Sequence, residues 1–354
     1  MRLLAIPVLL SYGIALPVSG LAACSDDQPT VELDSRRDDS SRLPLSPGDL
    51  IALPNPYKTD PVPAASLGPA IPMNKGYLVQ HLGGNVYAVC DGAYQTMFIP
   101  TGSGVIVVDA PPTIGTRLLD AIHETTSEPI THVIYSHHHT DHIGAADMFP
   151  PGVIRIAQTE TGALLAADHD PHRPPPTVTF DTSYTLKVGT ETLQLDYHGN
   201  VHEPGNIFIY APNEKVLMLV DVVYPGWVPF ERLAVSQQIP PWIAAHDTIL
   251  TYDFTWYLGG HLTRIGTRDD VLLQRQYVQD LRAAAAAALQ SVQLAPLVPH
   301  VDPQNPWALF MAYLGSVAEQ CATSQIAKYR GKLGAIDLHA YNHCWTMMES
   351  LRID

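Results

Sequence analysis

One run of the chain, residues 136–142, reads Ser-His-His-His-Thr-Asp-His and limits the possible fold more than any other feature. Only 16 of the 354 residues are histidine, so four of them within six positions form a strong local concentration. The residues that lead into the histidines, 131–136, are rich in β-branched and aromatic side chains and predict a buried strand. A strand is therefore expected to lead directly into a cluster of ionisable side chains.

The spacing within the run predicts where its side chains point. Alternate side chains of an extended chain share a face, so His137, His139 and Asp141 are expected to lie together, with His138 on the opposite side. His142 can join them only if the chain turns, and the residues that follow it predict a short helix. Imidazole and carboxylate are ligands that suit zinc and related divalent ions. The run therefore predicts part of a metal site.

Three more candidate ligands follow downstream, in loops or at strand ends. His202 lies in the stretch HGNVHEPGN, Asp221 ends the apolar run KVLMLVD, and His261 follows two glycines in LGGHLTRIGT. Taken singly, each is more commonly structural, as a core histidine, a helix cap or a turn residue. A carboxylate at the end of a buried strand is costly unless it is paired, and the set as a whole predicts a site.

The pattern His-x-His-x-Asp-His, followed by a distant His, a distant Asp and a last His, resembles the signature of the metallo-β-lactamase superfamily. The resemblance implies two metal sites that share Asp221 as a bridging ligand. The residues implied for the first site are His137, His139 and His202, and those for the second are Asp141, His142 and His261. The early segment GVIVVDAPP is similar to an Asp-containing segment of that family, which implies that Asp109 supports the metal loop from outside the ligand set.

The same resemblance implies an α/β fold of the αβ/βα sandwich type, with two sheets flanked by helices, whereas patterns alone support only a mixed α/β fold. Apolar runs predict strands on both sides of the histidine run. After His261 the strand patterns stop, and the alanine-rich stretch 268–292 predicts a long helix. We therefore expect a metallo-β-lactamase-like domain at residues 71–266 and a helical C-terminal extension packed on it at residues 267–354.

The first 23 residues resemble a bacterial lipoprotein signal, with one arginine, an apolar stretch and a final Leu-Ala-Ala before Cys24. The resemblance implies export, lipidation of Cys24, and anchoring to a membrane of the bacterial cell envelope, on its periplasmic or extracellular face. A short membrane anchor or an ordinary secretory signal is the alternative. The polar, Pro-rich stretch 24–70 is expected to be a flexible tether.

Charge and cysteine content narrow the partners and the redox chemistry. The 20 basic and 35 acidic residues give a net charge of −15, which disfavours nucleic acid as a partner. Cys321 and Cys344 lie in the helical tail and could pair in an oxidising compartment. Cys90 is expected to be a buried thiol in a strand.

The metal pair implied by the resemblance predicts the chemistry. Two zinc ions, with iron or manganese as other occupants, would hold a hydroxide that attacks a carbonyl group. Asp141 is the candidate catalytic residue, placed to orient the water and pass on its proton. An acidic residue at position 221 is similar to the lactonase, thioesterase and phosphodiesterase branches, whereas true β-lactamases of the superfamily usually carry Cys or Ser there.

We therefore predict hydrolysis of a carboxylic ester or lactone in a small-molecule substrate, with β-lactam or phosphodiester hydrolysis as alternatives. The segment after Asp221 is rich in aromatic residues and is expected to bind an apolar group. Its candidate contacts are Trp227, Trp242 and Trp256. Arg232 and Arg264 are the main candidates to meet an anionic group. A mononuclear iron oxygenase and a non-catalytic metal-binding surface lipoprotein are two further alternatives, which metal content and turnover would separate.

Overall fold

The computed structural model describes residues 59–354, which contain two β-sheets packed face to face with helices on both outer sides. The strands of the first sheet, in chain and spatial order, are β1 (Leu78–Gly83), β2 (Val86–Cys90), β3 (Gln95–Pro100), β4 (Val105–Val108), β5 (Ile130–Ile134), β6 (Ile154–Gln158) and β7 (Val178–Phe180). The strands of the second sheet are β8 (Ser183–Val188), β9 (Glu191–Asp196), β10 (Phe208–Ala211), β11 (Val216–Met218) and β12 (Trp256–Leu258), in the spatial order β12-β11-β10-β9-β8. The first sheet is antiparallel from β1 to β4 and parallel from β4 to β7.

Eight helical segments accompany the sheets in the described part of the chain. They are α1 (Arg117–Thr125), α2 (Thr140–Ile143), α3 (Thr159–Asp168), α4 (Glu231–Val235), α5 (Ile239–Ile249), α6 (Arg268–Ser291), α7 (Pro306–Tyr329) and α8 (Ile336–Ile353). Short 3₁₀ turns lie at Ala64–Ser66, Ala146–Met148 and Val298–His300. Within residues 59–354, none of these helices combines the length and apolar character that a membrane crossing requires.

The side chains of the strands alternate between two hydrophobic layers. In β11, Leu217 packs toward the C-terminal helices, whereas Val216 and Met218 pack between the two sheets. Successive strand side chains point to opposite faces, so each sheet buries one face against the other sheet and its second face against helices. On the far side of the first sheet, Leu118 and Ile122 of α1 belong to a third apolar cluster. The predicted αβ/βα sandwich is confirmed.

The C-terminal helices cover the outer face of the second sheet. Tyr277 and Leu281 of α6 share one core cluster with strand residues such as Leu217. A capping box between Thr267 and Asp270 starts α6, close to the predicted start of the long helix. The predicted helical extension is therefore confirmed.

The cysteines divide into a disulfide pair and a thiol. Cys321 of α7 and Cys344 of α8 are joined by a disulfide bond, with their Cα atoms 5.8 Å apart. Cys90 ends β2 as a buried free thiol, which agrees with the prediction for that strand. The disulfide links two helices of the extension to each other across a separation of 23 residues.

The sequence patterns did not predict strands β1 and β12 or helix α5. The chain also turns earlier than predicted, because α2 begins at Thr140 rather than after His142. His139 stands immediately before α2 with extended backbone angles, φ −60° and ψ 138°. The turn therefore falls within the histidine run itself and not after it.

The predicted signal (1–23), Cys24 and most of the predicted tether (24–70) lie outside the described residues. The last part of that stretch is described and lies against the domain. Ser66 is fully buried, and its backbone carbonyl accepts a hydrogen bond from the indole of Trp227 at 2.8 Å. The backbone amide of Asp60 donates to the carboxylate of Asp337 in α8 at 2.7 Å.

Gln274 of α6 joins the extension to the loop after β11. Its side-chain oxygen accepts a hydrogen bond from the backbone amide of Tyr224 at 2.8 Å, and its Nε2 donates to the carbonyl of Val222 at 2.6 Å. The same Nε2 lies 2.9 Å from Nε2 of His246, and Gln274 is 1% exposed. Two buried backbone groups next to Asp221 therefore depend on one side chain of the extension.

We expect Gln274→Ala to lower the free energy of unfolding by about 2–4 kcal/mol, because both buried backbone groups lose their partner. Gln276→Ala, at an exposed position of the same helix, is the matched control and should change it by less than about 0.5 kcal/mol. Urea unfolding followed by circular dichroism measures both. Equal effects of the two substitutions would contradict the role assigned to Gln274.

Candidate metal centre

All seven predicted ligands converge at one end of the two sheets. They are carried by the segment after β5 and by three loops of the second sheet, which follow β9, β11 and β12. Donor atoms of His137, His139, His202 and Asp221 lie within 4.8 Å of one another. Asp141, His142 and His261 form a second group of the same kind. The structure thus brings together the two ligand groups that the resemblance implied.

The carboxylate of Asp221 lies at the centre of this cluster. Its Oδ2 is 3.4 Å from Nε2 of His137, 3.4 Å from Nε2 of His202 and 3.2 Å from Nε2 of His142. Its Oδ1 is 2.7 Å from Nε2 of His261. Asp221 therefore contacts histidines of both groups, which is the placement expected of a bridging ligand.

The cluster fits divalent metal ions on two counts. Neighbouring ligand atoms around a tetrahedral zinc ion with bonds of 2.0–2.1 Å are ~3.3 Å apart, and Nδ1 of His139 lies 3.3 Å from Nε2 of His202. In addition, Nε2 of His137 and both ring nitrogens of His142 are buried without a hydrogen-bond partner in the described structure. Buried polar atoms normally have partners, so Nε2 of His137 and one ring nitrogen of His142 are atoms that a metal ion would satisfy.

Burial and charge shift the pKa values of the cluster in opposite directions. Burial opposes ionisation of Asp221, but His142 and His261 hold the pKa of that carboxyl well below its usual value. Burial also acts to lower the pKa of His142, yet Asp221 and Asp141 raise it to about 9. Burial lowers the pKa of His202 to about 3, so its ring is neutral at pH 7. Because ligation requires neutral imidazoles, metal binding must release the proton of His142 and must weaken as the pH falls.

Asp109 and Asp221 hold unusual backbone conformations at the site. Their φ angles are +60° and +64°, in the left-handed region that residues other than glycine seldom adopt. Asp109 is fully buried, and its Oδ1 accepts a hydrogen bond from the backbone amide of Ser136 at 2.7 Å. Burial raises the pKa of Asp109 to about 6. Asp109 thus holds the residue before His137 from outside the ligand set, where the resemblance placed it.

Two tyrosines that the sequence analysis did not assign to the site contact its carboxylates. The hydroxyl of Tyr94 donates to Oδ2 of Asp141 at 3.1 Å, and that of Tyr224 donates to Oδ1 of Asp221 at 3.0 Å. Tyr94 reaches the site because it forms an isolated β-bridge with His261. Nothing in its sequence spacing indicates that contact.

Glu203 is a third residue that the sequence analysis missed, although it follows His202 directly. Its side chain is fully buried, with Oε1 2.6 Å from Nδ1 of His138 and Oε2 2.7 Å from Nε2 of His139. Burial opposes its ionisation, but the hydrogen bonds of His138 and His139 hold the pKa of Glu203 below its usual value. Since Nε2 of His139 faces Glu203, its Nδ1 is left to face His202.

This arrangement gives His138 a contact that strand alternation did not predict. His138 lies in neither group around Asp221, but it forms a third set of close donors with His139 and Glu203. A carboxylate that binds the second nitrogen of a ligand histidine fixes its tautomer and its ring orientation. Glu203 is placed to do this for His139.

We expect Glu203→Gln to weaken the affinity for a divalent metal ion by about 10–100-fold, because the amide cannot accept the proton of His139 as a carboxylate does. Competition with a chromophoric chelator measures the affinity, and circular dichroism shows whether the variant is folded. His138→Ala is the control, since it removes the other partner of Glu203 but leaves the pair with His139. Unchanged affinity in a folded Glu203→Gln protein would contradict this role.

A cavity of about 580 Å³ opens beside the cluster. Its lining includes His139, Asp141, His202, Asp221 and His261 of the cluster, together with aromatic and aliphatic side chains. The aromatic ones are Tyr94, Tyr224, Trp227 and Phe230, and the aliphatic ones include Val235, Leu262 and Leu338. The candidate metal centre therefore adjoins a mostly apolar pocket.

Only one of the three candidate tryptophans lines this cavity, which differs from the prediction. Trp227 does so, whereas Trp242 is fully buried, because α5 packs it into the core outside the second sheet. Trp256 begins β12 and packs against the layer between the sheets. Neither Arg232 nor Arg264 lines the cavity, and the Arg264 guanidinium is paired with the carboxylate of Asp270.

Residues 91–266 match the family described as the Metallo-beta-lactamase superfamily. This segment includes every residue of the two ligand groups and all strands of both sheets except β1 and β2. The segment therefore has the fold and the ligand pattern of the metallo-β-lactamase superfamily.

Individual proteins resemble the chain at low sequence identity. The chain is 28% identical over 191 residues to the 2,4-dinitroanisole O-demethylase subunit alpha of Nocardioides sp. (strain JS1661), which covers 52% of this chain and 58% of that protein. It is 27% identical over 129 residues to the Metallo-beta-lactamase type 2 of Elizabethkingia meningoseptica, covering 36% of this chain and 51% of that protein. The chain thus spans little more than half the length of these relatives. A solved metallo-beta-lactamase from Pontibacter korlensis has a TM-score of 0.49 and 20% identity, covering 56% of this chain and 97% of that one.

Proposed function

We propose that the chain is a dinuclear zinc-dependent hydrolase that cleaves a carboxylic ester or lactone bond. The observation that carries the proposal is the position of Asp221, between two groups of histidines and at the edge of a largely apolar cavity. Two divalent ions bound there would supply Lewis acidity and lower the pKa of a water molecule to ~7. A neutral carbonyl compound could enter the cavity and meet that water.

Asp141 is the proposed catalytic residue. Its side chain is 45% exposed and lines the cavity, whereas the side chain of Asp221 is 6% exposed. Burial, followed by the charge of Asp141, raises the pKa of Tyr94, so the phenol stays protonated and can keep donating to Oδ2 of Asp141. Asp141 is thereby held where it can orient the attacking water, accept its proton and pass that proton to the leaving group.

The charges around the cavity favour a neutral substrate. No lysine or arginine lines the cavity within residues 59–354, and its carboxylates are Asp141 and Asp221. Phosphodiesters are usually bound by arginine or lysine, since these side chains compensate the negative phosphate. Esters and lactones need no such partner.

We expect zinc-loaded protein to show a kcat/KM for a neutral aryl ester or a lactone at least ~tenfold above that for bis(4-nitrophenyl) phosphate.

Metal analysis should give two zinc ions per chain, and chelation should abolish activity that zinc then restores. His202→Ala should lose zinc and at least ~100-fold in activity, since it removes a proposed ligand. A phosphodiester as the best substrate would refute the proposal, and iron at one equivalent would favour an oxygenase.

A second candidate function is O-dealkylation of an activated aryl methyl ether. The observation that favours it is the relative named for that reaction, together with an aromatic cavity lining that includes Tyr94, Trp227 and Phe230. The balanced reaction converts an aryl methyl ether and water into a phenol and methanol. Adding 2,4-dinitroanisole and a cephalosporin to the substrate comparison tests this candidate and β-lactam hydrolysis in the same experiment.

We also propose that the protein is exported and anchored by acyl chains on Cys24. The Leu-Ala-Ala-Cys sequence supports this, and the bond between Cys321 and Cys344 is of the kind that persists in oxidising compartments. Cys24→Ala should move the protein out of the membrane fraction, because the attachment point for the acyl chains is lost. Fractionation and immunoblotting measure this shift, and a variant that stays in the membrane at wild-type size would exclude lipidation.

A further inference from the structure

One face of α8 reaches the cavity beside the candidate metal centre. The residues on this face recur at intervals of three and four, as expected for one side of a helix. They are Ala335, just before the helix, followed by Leu338, His339, Asn342 and His343. The first three line the cavity, whereas Asn342 and His343 bind the segment around α4. Since α8 follows residue 266, this face lies outside the part of the chain that matches the superfamily.

α8 holds α4 in place through hydrogen bonds made by two of its side chains. The backbone amide of Arg232 donates to Oδ1 of Asn342 at 3.0 Å. Nε2 of His343 lies 3.2 Å from the carbonyl of Phe230, and its Nδ1 lies 2.7 Å from the hydroxyl of Tyr277. His343 is fully buried, so its imidazole links α6, α8 and the start of α4 without water.

α4 itself has an unusual backbone. Arg232, Leu233, Ala234 and Val235 have φ angles of +51°, +58°, +61° and +56°, which form a left-handed turn without glycine. Such conformations persist only where the surrounding structure enforces them, and they cluster at functional sites. The turn buries Leu233 completely and leaves Ala234 and Val235 lining the cavity. The contacts with α8 thus hold a strained segment whose side chains line the cavity.

The same segment also reaches the candidate metal centre. Ser236 directly follows α4, and its Oγ lies 3.2 Å from Nδ1 of His202. The backbone amide of Gln237 donates to the carbonyl of His202 at 2.8 Å. The position of α4 is therefore fixed relative to a proposed ligand at one end and to α8 at the other.

Together these side chains form a wall that suits an uncharged apolar group. We define the apolar wall as Trp227, Phe230, Ala234, Val235, Ala335 and Leu338. Phe230, Val235 and Leu338 are 55%, 44% and 40% exposed, so large apolar surface is left for a ligand to cover. Among residues 59–354 no lysine or arginine lines the cavity, so the wall itself offers no such cation to an anionic group.

We propose that the apolar wall is the specificity-determining surface of the enzyme, and that it binds the uncharged acyl or aryl group of the substrate. The catalytic part of this inference rests on the proposed hydrolase function, whereas the binding of an uncharged apolar group by the wall does not. Leu338 is the residue that tests it, because it is contributed by α8 and is exposed enough for substitution without unfolding. Leu272 of α6 is 42% exposed and does not line the cavity, so it is the matched control.

The first measurement is binding of two size-matched probes by equilibrium dialysis, neutral 4-nitrotoluene and anionic 4-nitrobenzoate. The native protein should bind the neutral probe at least ~tenfold more tightly than the anionic one. Leu338→Lys should weaken the binding of 4-nitrotoluene by about tenfold, because it places a cation on the wall. The same change should narrow or reverse the preference for the neutral probe over the anionic one. Leu272→Lys should leave both affinities unchanged. Equal affinity of the native protein for the two probes, or equal effects of both variants, would overturn the inference.

The second measurement is kcat/KM for 4-nitrophenyl acetate, butyrate and hexanoate, with zinc content determined for each variant. In the native protein kcat/KM should rise with acyl length, and in Leu338→Lys that rise should disappear, whereas Leu272→Lys should keep the native values. If no ester is hydrolysed but the probes behave as expected, the proposed hydrolase function fails and the apolar wall stands. If esters are hydrolysed and the length profile of Leu338→Lys equals that of Leu272→Lys, the wall is wrong and the hydrolase function stands.

Discussion

The structure around the site depends on one buried carboxylate. Asp221 is 4% exposed, and removing an ionised group from water costs far more than folding can supply unless it is paired. Its partners are histidines of both ligand groups, which come from separate loops after β5, β9 and β12. Each of these loops must therefore bring its histidine side chain to the same place. The left-handed backbone of Asp221 is tolerated because these contacts hold it there.

The two sheets make this convergence possible. β4 and β5 run parallel, so the segments that follow them, with Asp109 and the histidine run, leave the first sheet at the same edge. β11 and β12 are also parallel, and they deliver Asp221 and His261 from the second sheet. Gly260 is required at this meeting point, because a Cβ there would lie 2.7 Å from Val220 and 3.2 Å from the His142 ring. The sandwich therefore determines where the ligands meet, and its loops determine which ligands they are.

The sequence was sufficient for the parts of the site that have fixed spacing. The candidate ligands from His137 to His142 are close in sequence, and the others follow recognisable strand ends, so pattern and resemblance were enough to name the side chains that the structure brings together. Glu203 could not be found this way, because its contact with His138 joins residues 65 positions apart. Trp242 was misplaced for a related reason, since an aromatic residue on a helix can face either a core or a cavity. The spacing of residues along a helix does not show which of its faces another element of the fold will cover.

The candidate metal ligands and part of the apolar wall come from different parts of the chain, which limits what can be inferred from the relatives. The histidines and carboxylates lie within residues 91–266, but Leu338 and the residues that hold α4 belong to α8. The family match at residues 91–266 also includes four residues of the wall but not Ala335 or Leu338, so similarity within that range leaves out the part of the wall that lies at α8. A related metal centre beside a different wall would accept a different substrate, because apolar contacts and charge around the reacting bond set selectivity. A substrate for the proposed activity must therefore be sought from the shape and charge of this cavity.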